Sequence, residues 1–417
     1  MSSLMLKRVA GTKDILAQEA VSWRKLEEAS RKVFSIYSFQ EIRTPLIEEE
    51  SLFNRSLGGA SEIVQKQMFL IKNKDELYAL RPEGTAPIVR SYIENNLDKA
   101  LGFAKFYYMG PMFRLERPQK GRLRQFHHIG CEAVGSTEPY LDVEIISLAD
   151  NLLKAFGIEG YQITLNSLGC AKDKLKLSAN LTDSLKDKLP HLCPGCNLRF
   201  KNNVLRILDC KNKSCREIVG KLALADSCLC PECIGHFTKV KAGLGLLKIK
   251  YEIAPHLVRG LDYYTRTVFE ITHPQLGSQD ALGAGGRYDN LVKELGGPDV
   301  GAIGFAFGVE RLLLVTKPGS QEATSKSLVY IIGLGEEAKL EGLKLLDNLR
   351  KKGFSCDTDY ENKSLKGAMR RANDLGSRYV LLIGADELKK KVVTVKDMVS
   401  GEQEEIRGEE IHLKLKC

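Results

Sequence analysis

Arginines at 114, 117, 122 and 124 crowd the stretch FRLERPQKGRLRQF, with Lys120 among them and Phe126 just beyond. Guanidinium groups are forked, permanent cations that match phosphate oxygens, and a phenyl ring offers a flat face to a nucleobase. The chemistry on offer is nucleotide recognition; taken alone, the same run also reads as a solvated loop. A second stretch, RGLDYYTRTVFE from Arg259 to Glu270, sets a cation, a glycine, a carboxylate and two phenols at the mouth of a segment with strand character. A third, GAGGRYDNL from Gly283 to Leu291, reads as a glycine turn that lets backbone approach a ligand, followed by Arg287, Tyr288 and an amphipathic helix. It is not a phosphate loop of the GxxxxGK type, because no lysine and hydroxyl pair follows. A fourth, GAIGFAFGVERLLLV from Gly301 to Val315, runs an apolar strand into a helix with Glu310 and Arg311 just inside it. An arginine in such surroundings needs an anionic partner, either a ligand or its neighbour Glu310.

Thiols form a separate group. Of 11 cysteines, those in CPGC, CKNKSC and CLCPEC pair as Cys193 with Cys196, Cys210 with Cys215, and Cys230 with Cys233. Such spacings suit tetrahedral zinc knuckles, and clustering in a chain without a secretory signal argues against a disulfide framework. Six thiolates exceed the four a structural zinc needs, so two readings stand: zinc held by four of them, or reduced thiols in a helical segment.

Several elements must position these residues. Residues 14–39 carry Ile15, Leu16, Val21, Leu26, Ala29, Val33 and Phe34 at three- and four-residue steps, which predicts a helix. FQEIRTPLIEE places Ile42, Thr44 and Leu46 on one strand face, and Pro45 confines that strand to an edge, bulge or interface suited to a dimer seam. Strands flanking RPQKGRLR predict a long antiparallel hairpin whose tip carries the arginines. Residues 139–157 read as a helix, YQITLNSLG as a strand, and residues 170–250 as a helical insertion rich in lysine, leucine and cysteine. Strand texture returns at LVRGLDYYTRTVFEI. GSQEATSKS, near 318–327, is a small polar linker, and the strands and helices beyond it predict a small α/β domain. The expected organisation is a first catalytic part over 1–169, the insertion over 170–250, a second catalytic part over 251–317 and a C-terminal domain over 327–417.

A chain of 417 residues, 43% apolar and 28% charged, implies several globular domains and excludes disordered and fibrous classes. The net charge of +9 favours a polyanionic partner only weakly. With no run of about 18 apolar residues and no signal-like N-terminus, a cytoplasmic location without membrane attachment is expected.

In order, RTPLIE, RPEGTA, FRLERPQKGRLRQFHHIGCE, RGLDYY, GGRYDNL and GFAFGVERL resemble the motifs of class II aminoacyl-tRNA synthetases, and RGLDYY with GGRYD resembles the histidyl-tRNA synthetase family. The resemblance spans nearly the whole chain, from GTKD at residue 11 onward. It implies an α+β catalytic domain with a mostly antiparallel class II sheet, a helical insertion, a C-terminal α/β anticodon-binding domain and a homodimer formed through EIRTPLIEE. It further implies ATP-dependent attachment of histidine to tRNA(His) through a histidyl-adenylate, with ATP as substrate and Mg2+ beside it.

By the same resemblance Arg114 and Arg259 hold the α-phosphate and are catalytic, Glu116 contacts adenine, Phe126 stacks on it, and Arg122 and Arg311 reach the γ-phosphate. Glu83, Gly84, Thr85, His128, Glu132, Tyr263 and Tyr264 receive histidine, while Arg117 and Gln119 approach the acceptor end of the tRNA. Acceptors such as Glu83 and Thr85 suit the substrate ammonium, and Glu132 with Tyr264 can read both imidazole nitrogens. The family usually carries glutamine where this chain has His128. A neutral imidazole accepts the same bond and a protonated one repels the ammonium, so weaker histidine binding is expected at mildly acidic pH.

Two rivals differ in class. A histidine-sensing regulatory paralogue would lack the anticodon domain and parts of the motifs, whereas residues 327–417 and Arg114, Arg259 and Arg311 are present. A plain RNA-binding protein would have no use for the RGLDYY and GGRYD chemistry.

Overall fold

Alternation along β-branched and aromatic runs builds the larger sheet, and helices with one apolar stripe cover it. The computed structural model of the chain describes residues 6–59, 61–222, 228–277, 280–316 and 328–415. The chain divides into two compact units, Met1–Pro318 and Gly319–Cys417. The linker expected at 318–327 lies outside the described residues. Among those described, no helix is long and apolar enough to cross a membrane.

The strands of the first unit are β1 (Gln40–Glu41), β2 (Ile47–Glu49), β3 (Phe69–Asn73), β4 (Glu76–Leu80), β5 (Ala104–Phe113), β6 (Gln125–Val134), β7 (Gln162–Ser167), β8 (Glu252–Ile253), β9 (Thr265–Thr272), β10 (Ala281–Arg287) and β11 (Ala302–Gly308). Eight of them form one sheet in the order β1-β5-β6-β11-β10-β9-β7-β8. Only the outermost pairings, β1 with β5 and β7 with β8, are parallel. The interior pairings are antiparallel, as the resemblance implies. One face is sealed by the helices Ala17–Ile36, Pro139–Ala155 and Pro231–Leu246, which send Phe34, Ile146, Leu152 and Val240 into a core with Ile129, Phe269 and Phe307. The other face stays partly open and carries the site.

Two local expectations are corrected. Ile42, Thr44 and Leu46 do not share a strand: β1 ends at Glu41, β2 starts at Ile47, and Pro45, which cannot donate to a ladder, lies in the gap. β2 joins β3 and β4 in a small three-stranded sheet instead. The glycines of GAGGRYDNL are not in a turn either, since Gly283, Gly285 and Gly286 lie inside β10, paired with β9 and β11. A Cβ on Gly285 would strike Phe305 Cβ at 2.5 Å, so these glycines admit close strand and ring packing.

The insertion is helical: Ala171–Leu185, Pro194–Asn202 and Lys213–Gly220 with short 3-10 turns between, then Pro231–Leu246. Leu181, Leu185, Ile207 and Val219 pack with the buried thiols Cys196, Cys210 and Cys215. The helix Pro231–Leu246 turns back to the sheet, and Gly243 lets it approach Val143, whose Cγ2 would lie 2.7 Å from an added Cβ.

The second unit is a five-stranded sheet of β12 (Val329–Gly333), β13 (Cys356–Thr358), β14 (Tyr379–Ile383), β15 (Val393–Asp397) and β16 (Gln403–Ile406), ordered β13-β12-β14-β15-β16. Val329 and Ile331 meet the helix Glu336–Lys351 on one face. Tyr330 and Ile332 meet Ala368 and Ala372 of the helix Leu365–Asp374 on the other. Strand alternation thus gives each layer its own apolar face.

Candidate active site

On β6, Phe126, His128 and Glu132 sit at even positions and share the open face of the sheet, while Ile129, Cys131 and Ala133 point into the core. Gly130 and Gly304 leave the room this requires: a Cβ on Gly304 would collide with Glu132 Oε2. Glu83 precedes the helix Thr85–Glu94, and its carboxylate accepts from the amides of Thr85 and Ala86, each at 2.8 Å. Gly84 between them has no Cβ because the ring of Tyr108 fills that space. Arg114 follows β5, Glu116 and Arg122 lie in the hairpin loop, and Arg311 opens the helix Val309–Val315.

One cavity is lined by Glu83, Gly84, Thr85, Arg114, Glu116, Arg122, Phe126, His128, Glu132, Arg259, Tyr263, Tyr264 and Arg311. Arg117 and Gln119 are exposed on the hairpin tip and do not line it. The tip is braced by the backbone pair of Gln119 with Arg122 and by the Arg124 guanidinium, which donates to Glu116 O and Ala10 O at 3.3 Å each.

The cavity has an acidic and a basic half. In the acidic half, Glu132 accepts from Thr85 Oγ1 at 2.6 Å and from the Tyr288 hydroxyl at 2.5 Å. Burial pushes its carboxyl up to about 8 in spite of these bonds, and the charge of Glu83 adds to the rise. Glu83 is likewise raised by burial. Burial also raises Tyr264, to about 12, so its hydroxyl keeps its proton and can donate. The rings of Tyr263 and Tyr264 are 4.7 Å apart and that of Tyr288 is 5.6 Å from Tyr263, making an aromatic wall.

The basic half holds four guanidiniums. Arg114 donates from Nε to Pro82 O at 2.9 Å and lies 5.2 Å from the Phe126 ring centroid. Burial lowers it to about 10, which still leaves it charged at neutral pH. Arg122 and Glu116 form a two-pronged ion pair with each other, Nη2 to Oε1 being 2.9 Å. Arg311 donates to the carbonyls of Gly121 and Ala281 at 3.1 and 2.6 Å, and Glu310 is occupied by His127, so the neighbour pair allowed by the sequence does not form. Arg259 is anchored to Glu270 at 2.6 Å, while its Nε is buried without a partner. Burial works against the charge of Arg259, and the Glu270 carboxylate outweighs it, so the group is held above its ordinary value.

His128 corrects an expectation. Burial, with Arg114 and Arg81 nearby, drives its imidazole down to about 3, so it is neutral throughout the physiological range and cannot weaken histidine binding by protonating at mildly acidic pH. Its Nδ1 is buried and unpartnered.

Sequence reasoning gave no role to Tyr288, Tyr108 or Glu270. A tyrosine beside the glycines of GGRYD and a lone carboxylate within the apolar run Val268–Ile271 were the available signals. Arg287, by contrast, never reaches the cavity: it is fully buried and donates to Asp142 Oδ1 at 2.6 Å, Asp289 Oδ1 at 2.9 Å and two carbonyls. Asp262 faces Asn203 at 2.9 Å and Arg206 at 3.5 Å, tying the insertion to the root of the strand. A Cβ on Gly260 would meet nothing, so no packing within the chain requires glycine there.

The six paired cysteines separate. Cys193, Cys196, Cys210 and Cys215 converge, their sulfurs within 4.8 Å of one another, whereas Cys230 and Cys233 lie elsewhere. Cys193 Sγ is 3.8 Å from Cys210 Sγ, and the Cys193 amide donates to Cys215 Sγ at 3.2 Å. Sulfurs at the corners of a tetrahedron with Zn–S bonds of about 2.3 Å stand about 3.8 Å apart, so the spacing fits a four-thiolate zinc.

The family model described as histidyl-tRNA synthetase matches residues 11–312, and that described as anticodon binding domain matches residues 328–417. The chain is 46% identical to the histidine–tRNA ligase of Natranaerobius thermophilus over 96% of each chain. It is 44% identical to that of Thermotoga petrophila, again over 96% of each. The crystal structure of apo histidyl-tRNA synthetase from S. aureus superposes with a TM-score of 0.80 at 33% identity, covering 98% of this chain and 99% of that one.

Proposed function

The chain belongs to the histidyl-tRNA synthetase family, and from that premise we propose how its cavity carries out the ATP-dependent attachment of histidine to tRNA(His) through a histidyl-adenylate. The acidic half receives the amino acid. The substrate ammonium lies against Glu83, Thr85 and the neutral His128, near the backbone of Gly84. Its imidazole donates one N–H to Glu132 and accepts from Tyr264 with the other nitrogen, and Tyr263 closes the side. An isostere without those nitrogens leaves Glu132 and Tyr264 unpaired and is rejected for that reason.

The basic half receives ATP. Adenine stacks on Phe126 beside Glu116, Arg122 and Arg311 meet the γ-phosphate, and Arg114 and Arg259 hold the α-phosphate. The Glu116 to Arg122 pair opens or shares its free lone pairs when the nucleotide enters. The histidine carboxylate is already ionised, so its attack on the α-phosphorus needs no protein base; pyrophosphate leaves, and the cations stabilise the charge spread over the phosphoryl oxygens. The unpartnered Nε of Arg259, in a guanidinium fixed by Glu270, is the observation that carries this reading. In the second step the terminal ribose hydroxyl of the tRNA displaces AMP, with Arg117 and Gln119 guiding the acceptor end.

No three carboxylates, histidines or thiols converge in the cavity among the described residues. Mg2+ would enter with the ATP phosphates, and no step depends on it. The four-thiolate cluster takes a structural Zn2+, which cross-links the turn at Cys193 to that at Cys210. The protein works as a cytoplasmic homodimer; exposed Ile47, Leu70, Ile71 and Leu77 around the small sheet support a partner surface next to the first motif.

The regulatory-paralogue reading has less in its favour, since a matched anticodon-binding segment and all the catalytic arginines are present. Charging of a tRNA(His) transcript with labelled histidine tests the assignment. Acid-precipitable histidine that requires both ATP and the transcript is expected; histidine binding without charging would favour the paralogue.

A further inference from the structure

Cys230 and Cys233, left over from the four-thiolate cluster, meet two residues that no cysteine-pair spacing could point to. Their sulfurs lie with Cys170 Sγ and an Asp173 carboxylate oxygen, all within 4.8 Å of one another. We propose that Cys170, Asp173, Cys230 and Cys233 form a second metal site, for a divalent borderline-soft cation such as Zn2+, which clips the two ends of the helical insertion together.

Helix geometry builds the set. Cys170 is the N-cap of the helix Ala171–Leu185 with Asp173 three residues on, and Cys230 is the N-cap of the helix Pro231–Leu246 with Cys233 three residues on. The second of these, CPEC, repeats the arrangement of CPGC at Cys193, whose proline also opens a helix. Each knuckle thus collects a different second pair: Cys210 and Cys215 in one case, Cys170 and Asp173 in the other.

Charge supplies an independent reason. Asp173 is 2% exposed and Cys233 1%, yet Asp173 has no cationic side chain paired with it among the described residues. Its oxygens accept from the amides of Cys230 at 3.1 Å and Cys170 at 3.2 Å, and from the thiols of Cys233 and Cys230. A divalent cation would take the place of those thiol protons and pair with the buried carboxylate. Gly169, at φ +71°, keeps the chain clear of Asp173, whose Oδ2 would lie 2.6 Å from an added Cβ. Ligands on Zn2+ stand about 3.3–3.8 Å apart, so small side-chain rotations close the set. The clip bears on the cavity, because Lys174 of the same helix donates to the carbonyls of Asp262 and Tyr264 at 2.8 and 2.9 Å.

The test is metal content of the full chain after dialysis against metal-free buffer. Two zinc ions per chain are expected in the wild type, one in Cys233→Ser, one in Asp173→Ala, and one in Cys196→Ser. Metal in Cys233→Ser equal to wild type, or none in Cys196→Ser, overturns the proposal. Because a variant can fail to fold, the wild type is also titrated with Co2+. Two charge-transfer components, from four and from three thiolates, are expected; a four-thiolate spectrum alone, or none, contradicts the second site.

Discussion

Glu132 carries the sharpest conflict in the cavity. Two hydroxyls favour its ionised form, yet burial holds it at about 8 against an ordinary 4.5. The folded chain therefore keeps a proton that the unfolded chain releases between about pH 4.5 and 8, and stability falls as pH rises through that window. Thermal melts of Glu132→Gln should show its Tm, relative to wild type, higher at pH 8 than at pH 5; a pH-independent difference would contradict the shift. In the proposed function the same group also receives the substrate imidazole. The ionised carboxylate accepts an imidazole N–H more strongly than the neutral acid, so the histidine KM should fall several-fold from pH 6.5 to 8.5, with no contribution from the neutral His128. A flat or rising KM would contradict this role. Short, ordered motifs singled out Glu132, Tyr264 and the arginines at 114, 122, 259 and 311 from sequence, and these residues line one cavity. Tyr288, Glu270 and the pairing of Asp173 with distant thiols were not, since their meaning comes from contacts between elements far apart in the chain.

At the scale of elements, the hairpin of β5 and β6 divides its labour. Its strands build the floor of the cavity by alternation, and its tip stands in solvent with Arg117 and Gln119 exposed. Loss of a contact to a tRNA phosphate removes about 1.5 kcal/mol, roughly tenfold. Arg117→Ala and Gln119→Ala should each slow tRNA charging about tenfold while ATP–pyrophosphate exchange stays within twofold; equal loss in both assays would place them in the first step. Strand β10 is held differently. Arg287 at its end and Asp142 on the helix Pro139–Ala155 are both fully buried, and Asp142 also meets His236 at 2.8 Å. Removing one member of a buried pair costs about 3–5 kcal/mol. Arg287→Met should lower the denaturation midpoint accordingly, and a loss below about 1 kcal/mol would mean that Asp142 is otherwise satisfied. The long hairpin, the helices and the alternating C-terminal strands were legible from periodicity. The break at Pro45 and the strand glycines of β10 were not, because a proline or glycine marks an irregularity without saying whether it is a gap, a turn or a tight strand crossing.

For the whole molecule, separate cores in the two units explain why composition changes near residue 318 were visible while the geometry of the cavity was not. Domain texture is a local average, whereas the cavity draws on residues from Glu83 to Arg311. The exposed apolar side chains of the small sheet predict a dimer, with a sedimentation mass of twice the 46.4 kDa chain. Ile71→Arg should shift that mass toward one chain; a monomeric wild type would contradict a partner surface there.

In the proposed function a guanidinium held by Glu270 drives histidyl-adenylate formation, and histidine-dependent ATP–pyrophosphate exchange measures that step alone. The wild type should exchange only when histidine is present, and Arg259→Lys, which keeps the charge but loses the fork, should fall by about 10²–10³-fold. Exchange that ignores histidine, or an Arg259→Lys variant as active as the wild type, would contradict it.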